Sequence, residues 1–218
     1  MIDEQTDKRA SSFWKELPIL LGVAILVAFL VRTFVLQTFY IPSQSMQHTL
    51  ELNDRVLVNK LVYDFRPPRR GEIVVFRAPE AWTGVPSGED YIKRVIAVGG
   101  DTLRCCDDRG RLLVNGRALD EPYIYEEGGV RDPAVPGNID GRGVEFEVTV
   151  PDGRLWVMGD HRSASGDSYQ HWQASNHDMT VATIPEDAVV GRAFAIYWPF
   201  DRATWLSVPE TAVAVPQP

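Results

Sequence analysis

Hydrophobic positions along this chain fall into two regimes. Residues 17–31 carry no charge, and if Arg32 snorkels, the apolar run continues through Phe34, Val35 and Leu36 to about Ile41. That approaches the roughly 20 residues a bilayer-spanning helix requires. Beyond Leu50 the pattern shortens to apolar runs at residues 55–58, 72–77, 91–98, 111–114, 144–150, 155–158 and 189–198. Turn-forming pairs such as Pro67-Pro68, Gly99-Gly100, Pro136-Gly137 and Asp152-Gly153 separate them. Short runs punctuated by Gly and Pro predict strands. The expected fold is mainly β: an N-terminal transmembrane helix followed by a β-rich domain.

This patterning divides the chain into a cytoplasmic segment at residues 1–16, an anchor at 17–38, a β domain at 39–103 and 151–201, and a C-terminal tail at 202–218 whose end, residues 213–218, reads as loose. Residues 104–150, richer in Gly and acidic side chains, are expected to form a small inserted lobe. Lys8, Arg9 and Lys15 precede the anchor, and after Arg32 the next basic residue is Arg55. The positive-inside bias therefore leaves the N-terminus in the cytoplasm, with the bulk of the chain outside a single-pass membrane anchor. No small-x-small site follows the apolar core, which argues against a cleavable signal segment. Gln37, Thr38, Phe39 and Tyr40 suit the membrane interface.

Charge narrows the classes of partner. With 22 Lys and Arg against 30 Asp and Glu, the net charge of −8 excludes nucleic acid as an expected ligand, because phosphate neutralisation needs a basic face. The one short basic run, Arg69-Arg70 after Pro67-Pro68, reads as a solvated turn. Cys105 and Cys106 are adjacent, so they are either two semi-buried thiols or a strained vicinal bridge, and neither supplies spaced metal ligands. His171 and His177 lack companion ligands and read as surface loop residues. No cofactor or metal is expected.

The candidate chemistry lies in three polar blocks. Ser45 stands in Ile41-Pro42-Ser43-Gln44-Ser45-Met46, just beyond the anchor; Lys93 stands in the apolar strand Tyr91-Ile92-Lys93-Arg94-Val95; and residues 159–168 form a polar loop. Serine needs a base to become nucleophilic, and lysine serves only if its pKa falls from roughly 10.4 towards neutrality. Burial among large neighbours has that effect. Strand alternation sets Lys93 beside Tyr91 and Val95, whereas Arg94 shares the other face with Ile92 and Ile96. A guanidinium cannot act as a base, so Arg94 is expected to form a salt bridge with Asp160 or Asp167. A triad of Ser45, His161 and Asp160 is disfavoured, since adjacent residues rarely place a carboxylate on the far ring nitrogen.

Taken together, Ile41 to Met46 with Thr49-Leu50, Arg70 to Phe76, Asp90 to Arg94 with Gly100-Asp101, and Gly159 to Arg162 with Ser165 and Asp167-Ser168 resemble the bacterial type I signal peptidases. The resemblance implies a signal-peptidase catalytic fold with a small inserted lobe. It also implies Ser45 as nucleophile, Lys93 as general base, Ser43 as oxyanion donor alongside the Ser45 N–H, and Ser165 as the hydroxyl orienting Lys93. Phe39, Ile41, Met46, Val56, Val75, Tyr91 and Ile92 would shape pockets for small side chains at the −1 and −3 positions of a signal peptide. Asp160, Arg162 and Asp167 would be structural supports. The implied partners are signal peptides of secreted preproteins, membrane lipid and a nearby export translocon. Three departures stand out: His48 where family members commonly carry Pro, Ser163-Ala164 where Asp-Asn is frequent, and Tyr169 where Arg is common. Two competing readings differ in kind: a self-cleaving Ser–Lys repressor, which would need a DNA-binding segment, and a membrane-anchored, noncatalytic domain that binds exported proteins.

Overall fold

The computed structural model of the chain describes residues 16–27, 29, 35–86, 88–137 and 145–215. Residues 16–27 are helical, with Ile19, Leu20 and Ile25 well exposed. No helix among the described residues is long and apolar enough to cross a membrane. Part of the expected anchor, residues 28 and 30–34, lies outside them. One boundary of that anchor needs correction: Leu36–Tyr40 is a strand, β1, so residues 36–38 do not continue a helix. Gln37 and Thr38 interrupt the apolar run, and aromatic and β-branched side chains favour a pleated surface.

The unit from Thr38 onward is built on antiparallel pairing. Its strands are β2 (Arg55–Asn59), β3 (Ile73–Arg77), β4 (Asp90–Val98), β5 (Thr102–Cys105), β6 (Leu113–Val114), β7 (Arg117–Ala118), β8 (Glu126–Glu127), β9 (Val130–Arg131), β10 (Phe146–Thr149), β11 (Arg154–Met158), β12 (Ile184–Pro185), β13 (Val189–Trp198) and β14 (Thr204–Trp205). The eight-stranded main sheet runs β1-β2-β13-β3-β4-β11-β12, with β14 added on β13. A four-stranded sheet runs β10-β5-β6-β7, and β8 pairs β9. Most expected strands form near the expected residues. The run at 111–114 contributes only Leu113–Val114, and β5 and the short hairpin strands had too few alternating positions to be seen.

β4 is the spine of the site. Its register sets Val74 opposite Lys93 on β3, and Met158 opposite Arg94 on β11. Flanked on both edges, its centre is buried from Lys93 to Ala97. The inserted segment shares a core with the main sheet: Ile96, Trp156 and Met158 pack with Leu103, Val114, Phe146 and Val148. A second cluster gathers Ile41, Met46, Leu50, Val56, Ile73 and Val75, and a third Val74, Phe76, Trp82, Val95 and Val157. Cys105 and Cys106 form a vicinal disulfide, which settles the two alternatives open from the sequence.

Three expectations are overturned. Arg70, in the run read as a solvated turn, is buried and donates to Asp101 through Nε at 2.6 Å. Up to Val215 the C-terminal segment is not loose: Leu206, Ala212 and Val215 are buried, Arg70 donates to the Val215 carbonyl at 3.2 Å, and Arg117 to that of Ala214 at 2.9 Å; residues 216–218 lie outside the described residues. Apolar spacing on a short helical turn, plus arginines reaching its carbonyls, is enough to dock it. His171 is not a loop residue either. It lies in the helix Ser168–Ala174 and stacks on Trp82 at 4.3 Å, because Asp167 caps that helix by accepting from the Tyr169 N–H.

Gly191 in β13 packs against β2 so closely that a Cβ there would stand 2.5 Å from the Asn59 carbonyl oxygen. Gly191→Ala is expected to destabilise the domain by about 1–3 kcal/mol through forced strand separation. Equilibrium urea unfolding measures it, and an unchanged midpoint would refute the close packing.

Candidate active site

The turn bearing Ser45 is held at both ends. The Ile41 N–H donates to Asp54 O and the Asn53 N–H to Ile41 O, each at 2.9 Å, and Leu50 N–H donates to Met46 O at 2.7 Å. Asp54 is itself clamped by Arg202, through two bonds of 2.9 Å. Ile41, Met46 and Leu50 bury their side chains and draw the turn inward. Ser45 is thereby 6 % exposed, while Ser43 and Gln44 remain at the surface. The Ser45 carbonyl accepts from the His161 N–H at 3.2 Å, fixing the peptide that carries the hydroxyl.

Lys93 meets this turn from β4. Its Nζ lies 2.7 Å from Ser45 Oγ and 3.1 Å from the Ile92 carbonyl oxygen, with the Tyr91 ring 5.4 Å away. Only 4 % of the lysine is exposed. Burial pushes its pKa down to about 8, although Asp167 and Asp160 pull the other way. As an ammonium, Nζ donates to Ser45 Oγ; as a neutral amine, it can accept the serine proton. Ser43 Oγ lies 3.3 Å from Ser45 Oγ.

The loop after β11 supplies the surroundings. Asp160 accepts from Arg94 Nε at 2.8 Å, Arg94 Nη2 at 2.6 Å and Thr49 Oγ1 at 2.5 Å. Of the two carboxylates expected for Arg94, Asp160 is the partner. Arg162 reaches Gly159 O at 2.9 Å and Glu121 Oε1 at 2.5 Å, and also bonds the Ala134 carbonyl. Asp167 accepts from the Gly159 and Tyr169 N–H groups at 3.0 and 3.2 Å. Burial raises the Asp167 pKa, opposed by the Gly159 amide and the nearby Lys93 charge.

The expected role of Ser165 needs correction. Its Oγ is buried and has no hydrogen-bond partner among the described residues, and Lys93 Nζ bonds Ser45 and Ile92 instead. What seats Ser165 here is Gly159: a Cβ at that position would collide with Ser165 and with the Ser45 carbonyl. Of the seven expected pocket residues, Phe39, Ile41, Met46, Val56, Val75 and Ile92 gather in one apolar cluster under the Ser45 turn. Tyr91 lies elsewhere, against Phe76 and Trp82. Thr49 stood in a motif without an assigned role, and Glu121 and Tyr123 were not expected at the site. Tyr123 lies under the Arg94 guanidinium at 3.8 Å and donates to Glu121 at 2.7 Å. One acid and one tyrosine in a segment rich in acidic residues carry no local signal of such partners.

Comparison with known proteins adds a family. The sequence profile for signal peptidase, peptidase S26, matches residues 14–198. The signal peptidase I of Mycobacterium tuberculosis is 37 % identical over 232 residues, covering 92 % of this chain and 77 % of that protein. A probable signal peptidase I of Synechocystis is 35 % identical, over 94 % of this chain and 85 % of that protein. The signal peptidase I of Bacillus caldolyticus is 35 % identical, over 83 % and 89 %.

The lowered pKa of Lys93 predicts a stability signature. Between about 8, its folded value, and 10.5, its ordinary one, the unfolded chain binds the extra proton, so this group makes folding more favourable as pH rises across that window. Below about 8 the full cost of the buried charge remains. Lys93→Met should therefore be more stable than the parent at neutral pH, by up to about 3 kcal/mol, with the advantage fading towards pH 10.5. Urea unfolding at several pH values measures it; a pH-independent difference would contradict the buried amine.

Proposed function

The chain belongs to the signal peptidase family, peptidase S26, a family of serine proteases, and on that footing we propose that it removes signal peptides from exported preproteins by a Ser–Lys mechanism. One observation carries this reading: a buried lysine whose Nζ stands 2.7 Å from a buried serine hydroxyl. The neutral Lys93 amine takes the Ser45 proton as Oγ attacks the scissile carbonyl. Ser43, 3.3 Å from Ser45 Oγ, and the Ser45 N–H would bind the developing oxyanion. Collapse breaks the C–N bond, and the Lys93 ammonium gives its proton to the departing amine. Water, deprotonated by the same amine, then hydrolyses the Ser45 ester and restores the serine.

The apolar cluster of Phe39, Ile41, Met46, Val56, Val75 and Ile92 supports a preference for small residues at −1 and −3, since its bulky side chains leave little room beside the Ser45 turn. Tyr91 would instead tune the lysine through its ring. In this reading Asp160, Arg94, Arg162 and Asp167 hold the scaffold, and Ser165 fills the space behind the Ser45 turn. The apolar side chains exposed along residues 17–27 support an N-terminal single-pass anchor in the cytoplasmic membrane. The N-terminus would be cytoplasmic and the catalytic domain would face outward, in contact with lipid and near the export translocon. No cofactor enters the mechanism.

Purified protein and a signal-peptide substrate test the proposal. Ser45→Ala and Lys93→Ala should each lower turnover by on the order of 10³-fold or more, and the double variant should be scarcely worse, as for residues acting as a unit. Near-normal turnover by either single variant would defeat the assignment.

Ser43→Ala should lower kcat by roughly 10²–10³-fold with little change in KM, and an effect confined to KM would move Ser43 to substrate binding. The kcat/KM profile should rise with pH and level off above about 8, where Lys93 is neutral. A flat profile across that range would remove Lys93 as the base.

A further inference from the structure

His48, three residues beyond Ser45, has a backbone φ of +83°, a conformation rare for a residue with a Cβ. Such strain persists only where surrounding contacts over-determine it. Here the contacts are explicit. The His48 ring Nδ1 lies 3.2 Å from the Tyr123 carbonyl oxygen and 3.1 Å from that of Ile124, and the His48 N–H donates to Glu51 Oε1 at 3.2 Å. Both ring partners only accept, so Nδ1 must carry hydrogen and donate a shared bond.

The carbonyls it grips belong to a firmly held segment. The Tyr125 N–H donates to Asp160 O at 2.9 Å, the Tyr123 ring lies under Arg94, and Glu121 binds the buried Arg162. The same loop also holds the Ser45 carbonyl through the His161 N–H. The Ser45 turn is thus tied to one framework at two points, through the Ser45 carbonyl on one side and the His48 ring on the other.

We propose that His48 is a positioning residue for the nucleophile: its ring pins the Ser45 turn to the backbone of Tyr123 and Ile124, and the left-handed backbone at His48 is what this bond requires. The inference rests on the proteolytic reading of the site. The pin is insensitive to the charge of the ring, since Nδ1 holds its hydrogen in both the neutral tautomer that fits these partners and the imidazolium. Its contribution is orientation, and small displacements of a nucleophile are costly in rate.

Three forms of the full chain test it: the parent, His48→Gly and His48→Asn. Glycine accepts the positive φ but has no donor, whereas asparagine tolerates the same backbone and can offer its side-chain amide N–H near the place of Nδ1. Two rates are read: kcat on a signal-peptide substrate, and acylation of Ser45 by a p-nitrophenyl ester, followed by mass spectrometry. His48→Gly should lower both by on the order of 10- to 100-fold, with KM nearly unchanged, and His48→Asn should recover most of the loss. The proposal is overturned if His48→Gly matches the parent in both rates, if asparagine is no better than glycine, or if the glycine variant loses only melting temperature. A parent chain that acylates at Ser45 yet cleaves no signal peptide would defeat the proteolytic reading, while the ester rates would still decide the role of His48.

Discussion

Lys93 occupies a place that stabilises its charge less well than water does, and much of the surrounding fold serves to keep it there. β4 is paired on both edges, by β3 and β11, and its centre, Lys93 included, is buried. Two buried carboxylates stand close enough to favour the ammonium. Burial still prevails, and both carboxylates have other commitments: Asp160 holds Arg94 and Thr49, and Asp167 holds the Gly159 amide and caps the following helix. An unengaged carboxylate beside Lys93 would draw its pKa back towards that of a solvated lysine.

The Arg94–Asp160 pair, 2.6 Å apart and nearly solvent-free on both sides, is better understood as fixing geometry than as adding stability. Desolvating two ions offsets most of their attraction, whereas breaking one partner would strand the other in the interior. The geometry it sets has consequences. Asp160 anchors Thr49 in the Ser45 turn, Arg94 lies over Tyr123, and the next residue, His161, holds the Ser45 carbonyl. Arg162 extends the arrangement to Glu121 in the inserted segment. Three successive residues of one loop thereby connect the main sheet, the Ser45 turn and the insertion.

This explains why the insertion belongs to the site although it carries none of the proposed reacting groups. Its strands share a core with β4 and β11, so residues 121–125 are held in place by packing and present backbone carbonyls as a fixed surface. Gly159 plays the complementary part: by lacking a side chain it lets Ser165 and the Ser45 peptide pack where any Cβ would intrude.

Local patterns in the sequence determined the strands β2, β3, β4, β11 and β13 and the expected separation of Lys93 from Arg94 onto opposite faces, whereas the pairing of Ser45 with Lys93 came from the resemblance of whole motifs. The strands and their faces depend on spacing within a few residues and on the two-residue period of a strand. Tertiary structure decided the rest. Leu36–Tyr40 is a strand and not the end of an apolar helix because β2 is there to pair with it. The C-terminal segment docks because Arg70 meets a carbonyl 145 positions away. Arg94 chose Asp160 over Asp167, Thr49 found the same carboxylate 111 positions on, and Ser165 was left without Lys93. Such partners are set by which loops the two sheets bring together, and a chain read one residue at a time holds no distance across that gap.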